Sequence, residues 1–232
     1  LHLLSRRQRQ MCIRDRYLSM TSQKFDFVTV DPVSGSGDQA VNFSGEEHTG
    51  RLQRTINLTV TTNGGAKKAL VVNQAAAAEV VRSDSPNASV QKTGGNVTIT
   101  GKSNSTKLTF AVMPAEGNGL TLQLPANYTA AGKTTASGAV IADDPGAAGE
   151  FVWSITISDV PANVTIEELT ATLKVTAADG QIVNVTVTQA AGDSTIELDR
   201  EAINLDVNGT QQTVNVTSND SWTWAQLRLE PY

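Results

Sequence analysis

The chain has 232 residues, of which 39% are hydrophobic, 18% charged and only 5% aromatic, with a formal charge of −5. It is too apolar for a disordered polymer and too poor in rings for one large aromatic core. Outside residues 1–20 there are 13 basic and 22 acidic residues, a balance that repels phosphate backbones and argues against nucleic acid as a partner.

Residues 1–20 differ from everything downstream. They hold five arginines against one aspartate, together with Cys12, the sole cysteine, so no internal disulfide is expected. The string RRQRQMCIRDR resembles the translation of a sequencing adapter, and 1–20 are expected to be a non-native segment outside the fold.

From Phe25 onward the apolar period is two, which predicts strands with one buried and one wet face. Ile56, Leu58 and Val60 form the first clear row, followed by Val97 and Ile99, then Leu108, Phe110 and Val112. Leu120, Leu122 and Leu124 alternate in the same way, and Phe151, Trp153, Ile155 and Ile157 make the longest row. Leu169 to Val175 and Val183 to Val187 follow, then Ile203 to Val207, Val214 with Val216, and Trp222 with Trp224. Asn63-Gly64-Gly65, Gly94-Gly95, Asp143-Asp144-Pro145-Gly146, Asp179-Gly180 and Asn208-Gly209 supply turns between rows. No stretch sustains a helical period, and no apolar run reaches the roughly 20 residues that span a bilayer. The expected fold is all-β, built from tandem immunoglobulin-like β-sandwich modules.

Segment 58–76 (LTVTTNGGAKKALVVNQAA) aligns without a gap to 173–191 (LKVTAADGQIVNVTVTQAA), 115 positions on. A looser echo, shifted by two residues, relates 90–105 to 206–221. On this frame 79–192 is a complete module, 21–78 the C-terminal half of a preceding one, and 193–232 the N-terminal half of a following one. Within 79–192, Trp153, Ile155, Leu173 and Val185 are expected to be buried together.

Several motifs resemble the BACON family of gut Bacteroidetes and their phages. They are Ser218-Asn219-Asp220-Ser221-Trp222, Pro32 with Gly35-Ser36-Gly37, Arg54 before Ile56, and Val72-Asn73-Gln74. The middle module departs from the pattern, with Leu169 where the flanking half has Arg54. The resemblance implies an extracellular, cell-surface or virion setting, and a spacer or carbohydrate-binding role beside secreted enzymes. It also makes Trp222 a core residue, in agreement with the alternation around it.

Chemistry-bearing constellations are few. His48 stands alone in the loop EEHTG, and neither a nucleophile–base pair nor His/Cys metal spacing is found, so no catalytic residue, cofactor or enzyme activity is expected. Asp143 and Asp144 are weak calcium candidates, because two acids fall short of the six to eight oxygens calcium takes. Tyr128, in the loop PANYTAAGKTT, and Trp224 are the aromatics proposed to stack on a sugar. The leading expectation is a non-catalytic spacer or adhesion protein whose partners are neighbouring modules. The alternative is a module that binds glycans such as mucin, attached to a secreted glycosidase or a phage fibre.

Overall fold

Alternation of Val, Ile and Leu with Thr and Asn leaves the backbone little choice but extended pairing, and strands dominate the fold. The computed structural model describes residues 22–226; the basic stretch at 1–20 lies outside the described residues. Among the described residues the only helical turn is a 3-10 turn at Pro145–Ala147, and no helix is long and apolar enough to cross a membrane.

The chain divides into two compact units. One runs up to Glu47 and takes in Thr55–Gln74; the other comprises His48–Arg54 and everything from Ala75 onward. In the first, β1 (Gln23–Phe25), β2 (Val28–Asp31) and β3 (Asn42–Gly45) form an antiparallel sheet in that order. Strands β4 (Arg54–Thr61) and β5 (Lys67–Gln74) pair separately. Phe27, Val28 and Val30 are buried there, with Phe25, Ile56, Leu58 and Val72 packed against them.

The second unit contains two larger sheets around one core. Its strands begin with β6 (Val81–Ser83), β7 (Asn87–Val90), β8 (Gly95–Ser103) and β9 (Leu108–Pro114). They continue with β10 (Asn127–Ala130), β11 (Lys133–Ala136), β12 (Phe151–Val160), β13 (Leu169–Ala177) and β14 (Ile182–Gln189). The five-stranded sheet has the order β11-β10-β12-β8-β6 and the four-stranded sheet β7-β14-β13-β9. Among the described strands, β7 and β14 alone form a parallel ladder. The short pair β15 (Ile196–Leu198) and β16 (Val216–Ser218) follows. The two Gln-Ala-Ala hairpins, β4–β5 and β13–β14, lie in different sheets.

The core is organised around Trp153. Across the ladder it faces Gly101 on one side and Ala130 on the other, so small neighbours leave room for the indole. Phe110 of the four-stranded sheet reaches it edge-on, with ring centroids 5.7 Å apart. Trp153, Ile155, Leu173 and Val185 sit in one buried cluster. The indole Nε1 has no hydrogen-bond partner, an unmet donor that the surrounding packing must offset.

Three expected rows are not strands, and Trp222 with Trp224 is one of them. Leu120 and Leu122 are buried, but their segment touches the ladder only through a parallel bridge from Gly119 to Thr170. Asn118 and Leu120 exchange backbone hydrogen bonds with Thr170, after which the chain runs to Pro125 without a ladder partner. The alternation there reports burial rather than pairing. Ile203, Leu205 and Val207 are exposed and belong to no strand.

A Cβ added to Gly101 would lie 2.5 Å from Trp153 Cζ2 and also press on the Arg82 backbone. Neither neighbour can yield without moving the ladder. Gly101→Val is therefore expected to cost about 3 kcal/mol of stability, at the upper end of overpacking effects, read as a drop in the urea midpoint without loss of slope.

Candidate functional site

Buried polar side chains mark places where a β fold relies on something other than apolar packing. Ser103, Asn104 and Ser105, at the end of β8, are fully buried. Asn104 Oδ1 accepts from the Val80 N–H at 2.7 Å, while Nδ2 donates to the carbonyls of Thr49 at 2.9 Å and Ala78 at 2.8 Å. One carboxamide thus holds three segments together: loop 48–54, the stretch leading into β6, and the end of β8. Ser103 Oγ donates to the Val80 carbonyl and accepts from the Ser105 N–H. The Arg51 side chain adds bonds to the Asn104 carbonyl and the Asp144 carboxylate.

The same arrangement recurs 115 residues later. Asn219 Oδ1 accepts from the Thr195 N–H at 2.8 Å, and Nδ2 donates to Val164 at 2.9 Å and Asp193 at 2.8 Å. Every partner is displaced by that interval: Val80 to Thr195, Thr49 to Val164, Ala78 to Asp193. Ser218 repeats Ser103, donating to the Thr195 carbonyl and accepting from the Asp220 N–H. The backbone bond from Ala77 to Gly50 returns as Gly192 to Thr165. Gln74 donates to the Glu46 carbonyl and Gln189 to that of Pro161, both at 2.7 Å. The tertiary bonds bring the looser echo of 90–105 and 206–221 onto the 115 interval, with Ser103 matched to Ser218.

His48 also has a place in this frame. Its Nε2 donates to the Leu52 carbonyl at 2.7 Å, as Asn163 Nδ2 does to Glu167 at the equivalent position. The ring closes a loop.

The remaining candidates separate. Tyr128, expected as an exposed sugar platform, is 3% exposed and packs on Phe110 at 4.7 Å between centroids. Alternation on β10 turns it toward the core, because Ala130 two residues on faces the same way. Its hydroxyl has no hydrogen bond of good geometry. Burial pushes its phenol above the ordinary value, and the Leu108 backbone opposes that only in part. Trp222, expected in the core, is 45% exposed, and Trp224 is 68% exposed. Among the described residues no second sheet covers β15–β16, so the two rings meet each other edge-to-face at 6.0 Å. They line a cavity of about 310 Å³ with Ile196, Leu198 and Val216.

Asp143 and Asp144 are each engaged by a cation, Lys133 and Arg51 respectively. The Lys133 hydrogen bond and charge hold the Asp143 carboxyl below its usual range. The pair stands on left-handed backbone and projects to separate partners rather than to a shared ion. Among the described residues no group of three or more His, Cys, Asp or Glu is placed to hold a metal.

The sequence carried a signal for the asparagine site. Ser-Asn recurs at 103–104 and 218–219, and the second copy lies in a motif that resembles BACON. Asn104→Ala is expected to leave the Val80 N–H and two carbonyls without their partner, at about 3 kcal/mol. Asn219→Ala, at a half-buried site, should cost less. Hydrogen exchange at the Val80 amide checks the first, and retained protection there would contradict it.

The BACON resemblance is corrected by comparison with known families. The family described as Toastrack DUF4097 matches residues 55–230, well over half of the chain, and this is a different family from BACON. The motif residues have structural duties within this fold: Ser218 and Asn219 bind backbone groups 23 to 55 positions away, and Gln74 binds the Glu46 carbonyl. The extracellular or virion setting implied by that resemblance loses its support with it. No curated protein matches the chain. The chain belongs to the Toastrack DUF4097 family.

Proposed function

We infer that this chain is a non-catalytic, repeat-built scaffold that acts as a spacer, each repeat being fastened to the next by an asparagine carboxamide, buried at Asn104 and half-buried at Asn219. The observation that carries the reading is the recurrence, 115 residues on, of three tertiary hydrogen bonds: those of Asn104 return at Asn219. An array must keep the junction between repeats defined while the outer faces vary, and its stability resides in nearest-neighbour contacts. Each asparagine binds only backbone groups, so the junction tolerates sequence change around it. The finer architecture we propose for residues 79–192 is an immunoglobulin-like sandwich, supported by two sheets that share one core.

A glycan-binding role is the second reading, and the exposure of Trp224 favours it. Its other residue, Tyr128, is buried. The perpendicular Trp222–Trp224 pair offers one face and one edge, whereas sugar stacking uses a flat platform.

The spacer reading is tested at the second junction. In Asn219→Ala, exchange at the Thr195 amide and proteolysis within 190–195 should quicken, while the unfolding midpoint of the core around Trp153 stays in place. Unchanged proteolysis would remove the fastening role. Screening the full chain against mucin-type glycans separates the readings: we expect no binding, and binding lost in Trp224→Ala would put the glycan reading in its place.

A further inference from the structure

We propose that the β4–β5 hairpin of one copy of this chain docks on the exposed face of β15–β16 of a second copy, so that the protein assembles head to tail.

The template for this contact lies within the chain. Strands β6 and β8 pair with Val81 opposite Ser103 and Ser83 opposite Gly101. Strands β15 and β16 repeat that register 115 positions on, with Ile196 opposite Ser218 and Leu198 opposite Val216. Within residues 79–192 the face of β6 and β8 is buried: Val81 and Ile99 share a cluster with Val175 and Val185 of the β13–β14 hairpin. On β15–β16 the same face is open, with Ile196 58% and Leu198 41% exposed.

The complementary half is also present. Strands β4 and β5 start 115 residues before β13 and β14. Val60 and Leu70 stand where Val175 and Val185 do, yet they are 67% and 45% exposed, whereas Val175 and Val185 are fully buried. Each exposed face therefore matches a partner whose shape the chain already realises once.

Charge selects the same pairing. Segment 54–74 carries Arg54, Lys67 and Lys68 and no acid, while 193–226 carries six acids against Arg200 alone. The parallel ladder of β7 and β14 sets Ala88 against Val187 and Val90 against Gln189. Its counterpart between copies would set Ile203 against Val72 and Leu205 against Gln74, giving the exposed 203–207 row a ladder partner. Such a contact uses two different surfaces, so it propagates into open chains or closes into rings. It rests on strand register and stands or falls independently of the spacer role.

Sedimentation of the full chain across the micromolar range is expected to show mass rising with concentration, and less so at high salt. Leu198→Asp and Leu70→Asp, each outside the central core cluster, should be monomeric alone. Mixed together they should form a 1:1 dimer and stop there, because one sound face of each kind remains. Near-UV circular dichroism from the Trp153 core checks that both variants stay folded. Ile196→Asp and Val60→Asp replace any that do not. A wild-type chain that stays monomeric, a single variant that still associates, or a mixture that fails to pair would each overturn the proposal.

Discussion

The carboxamide of Asn104 is withdrawn from water, and it can remain so because three backbone groups from two other segments converge on it. A buried amide without partners costs about as much as several hydrogen bonds return. The end of β8, the approach to β6 and loop 48–54 must therefore come together or not at all. Ser103 and Arg51 extend this constraint, one to the Val80 carbonyl and the other to Asp144. Recurrence of the set around Asn219 makes it a property of the repeat.

Apolar packing fills in what the asparagine positions. Trp153 needs space on both sides of its strand, and Gly101 and Ala130 provide it. The two sheets then share one core through Phe110, which contacts both Tyr128 and Trp153. The fold carries two unmet donors there, the Trp153 indole N–H and the Tyr128 hydroxyl. Both sit beside the Phe110 ring in the core cluster.

The two ends of the described chain contrast with this centre. Strands with the same register and alternation as core strands keep apolar faces in contact with water, at Val60 and Leu70 in one place and Ile196 and Leu198 in the other. Membership of the Toastrack DUF4097 family, over 55–230, spans both kinds of region. Resemblance to BACON drew on short motifs such as Ser218-Asn219 and Val72-Asn73-Gln74. In this chain the Asn and Gln of those motifs bind backbone groups of distant segments.

Alternation and interval were fixed locally and could be read from the residues. The rows through Trp153, Leu173 and Val185 place side chains on one face because a strand has a period of two, whatever surrounds it. The 115-residue spacing appears in the sequence because the same strand, turn and strand are written twice. What covers each face was decided by the tertiary structure. Tyr128 is buried and Trp222 exposed because the first has a second sheet across from it and the second, among the described residues, has none. Alternation of Leu120 and Leu122 could not tell burial from pairing, since both turn side chains inward. The role of Asn104 was hidden for a similar reason. Its partners lie 24 to 55 positions away, and hydrogen bonds to distant backbone groups impose no local pattern on the residues that make them.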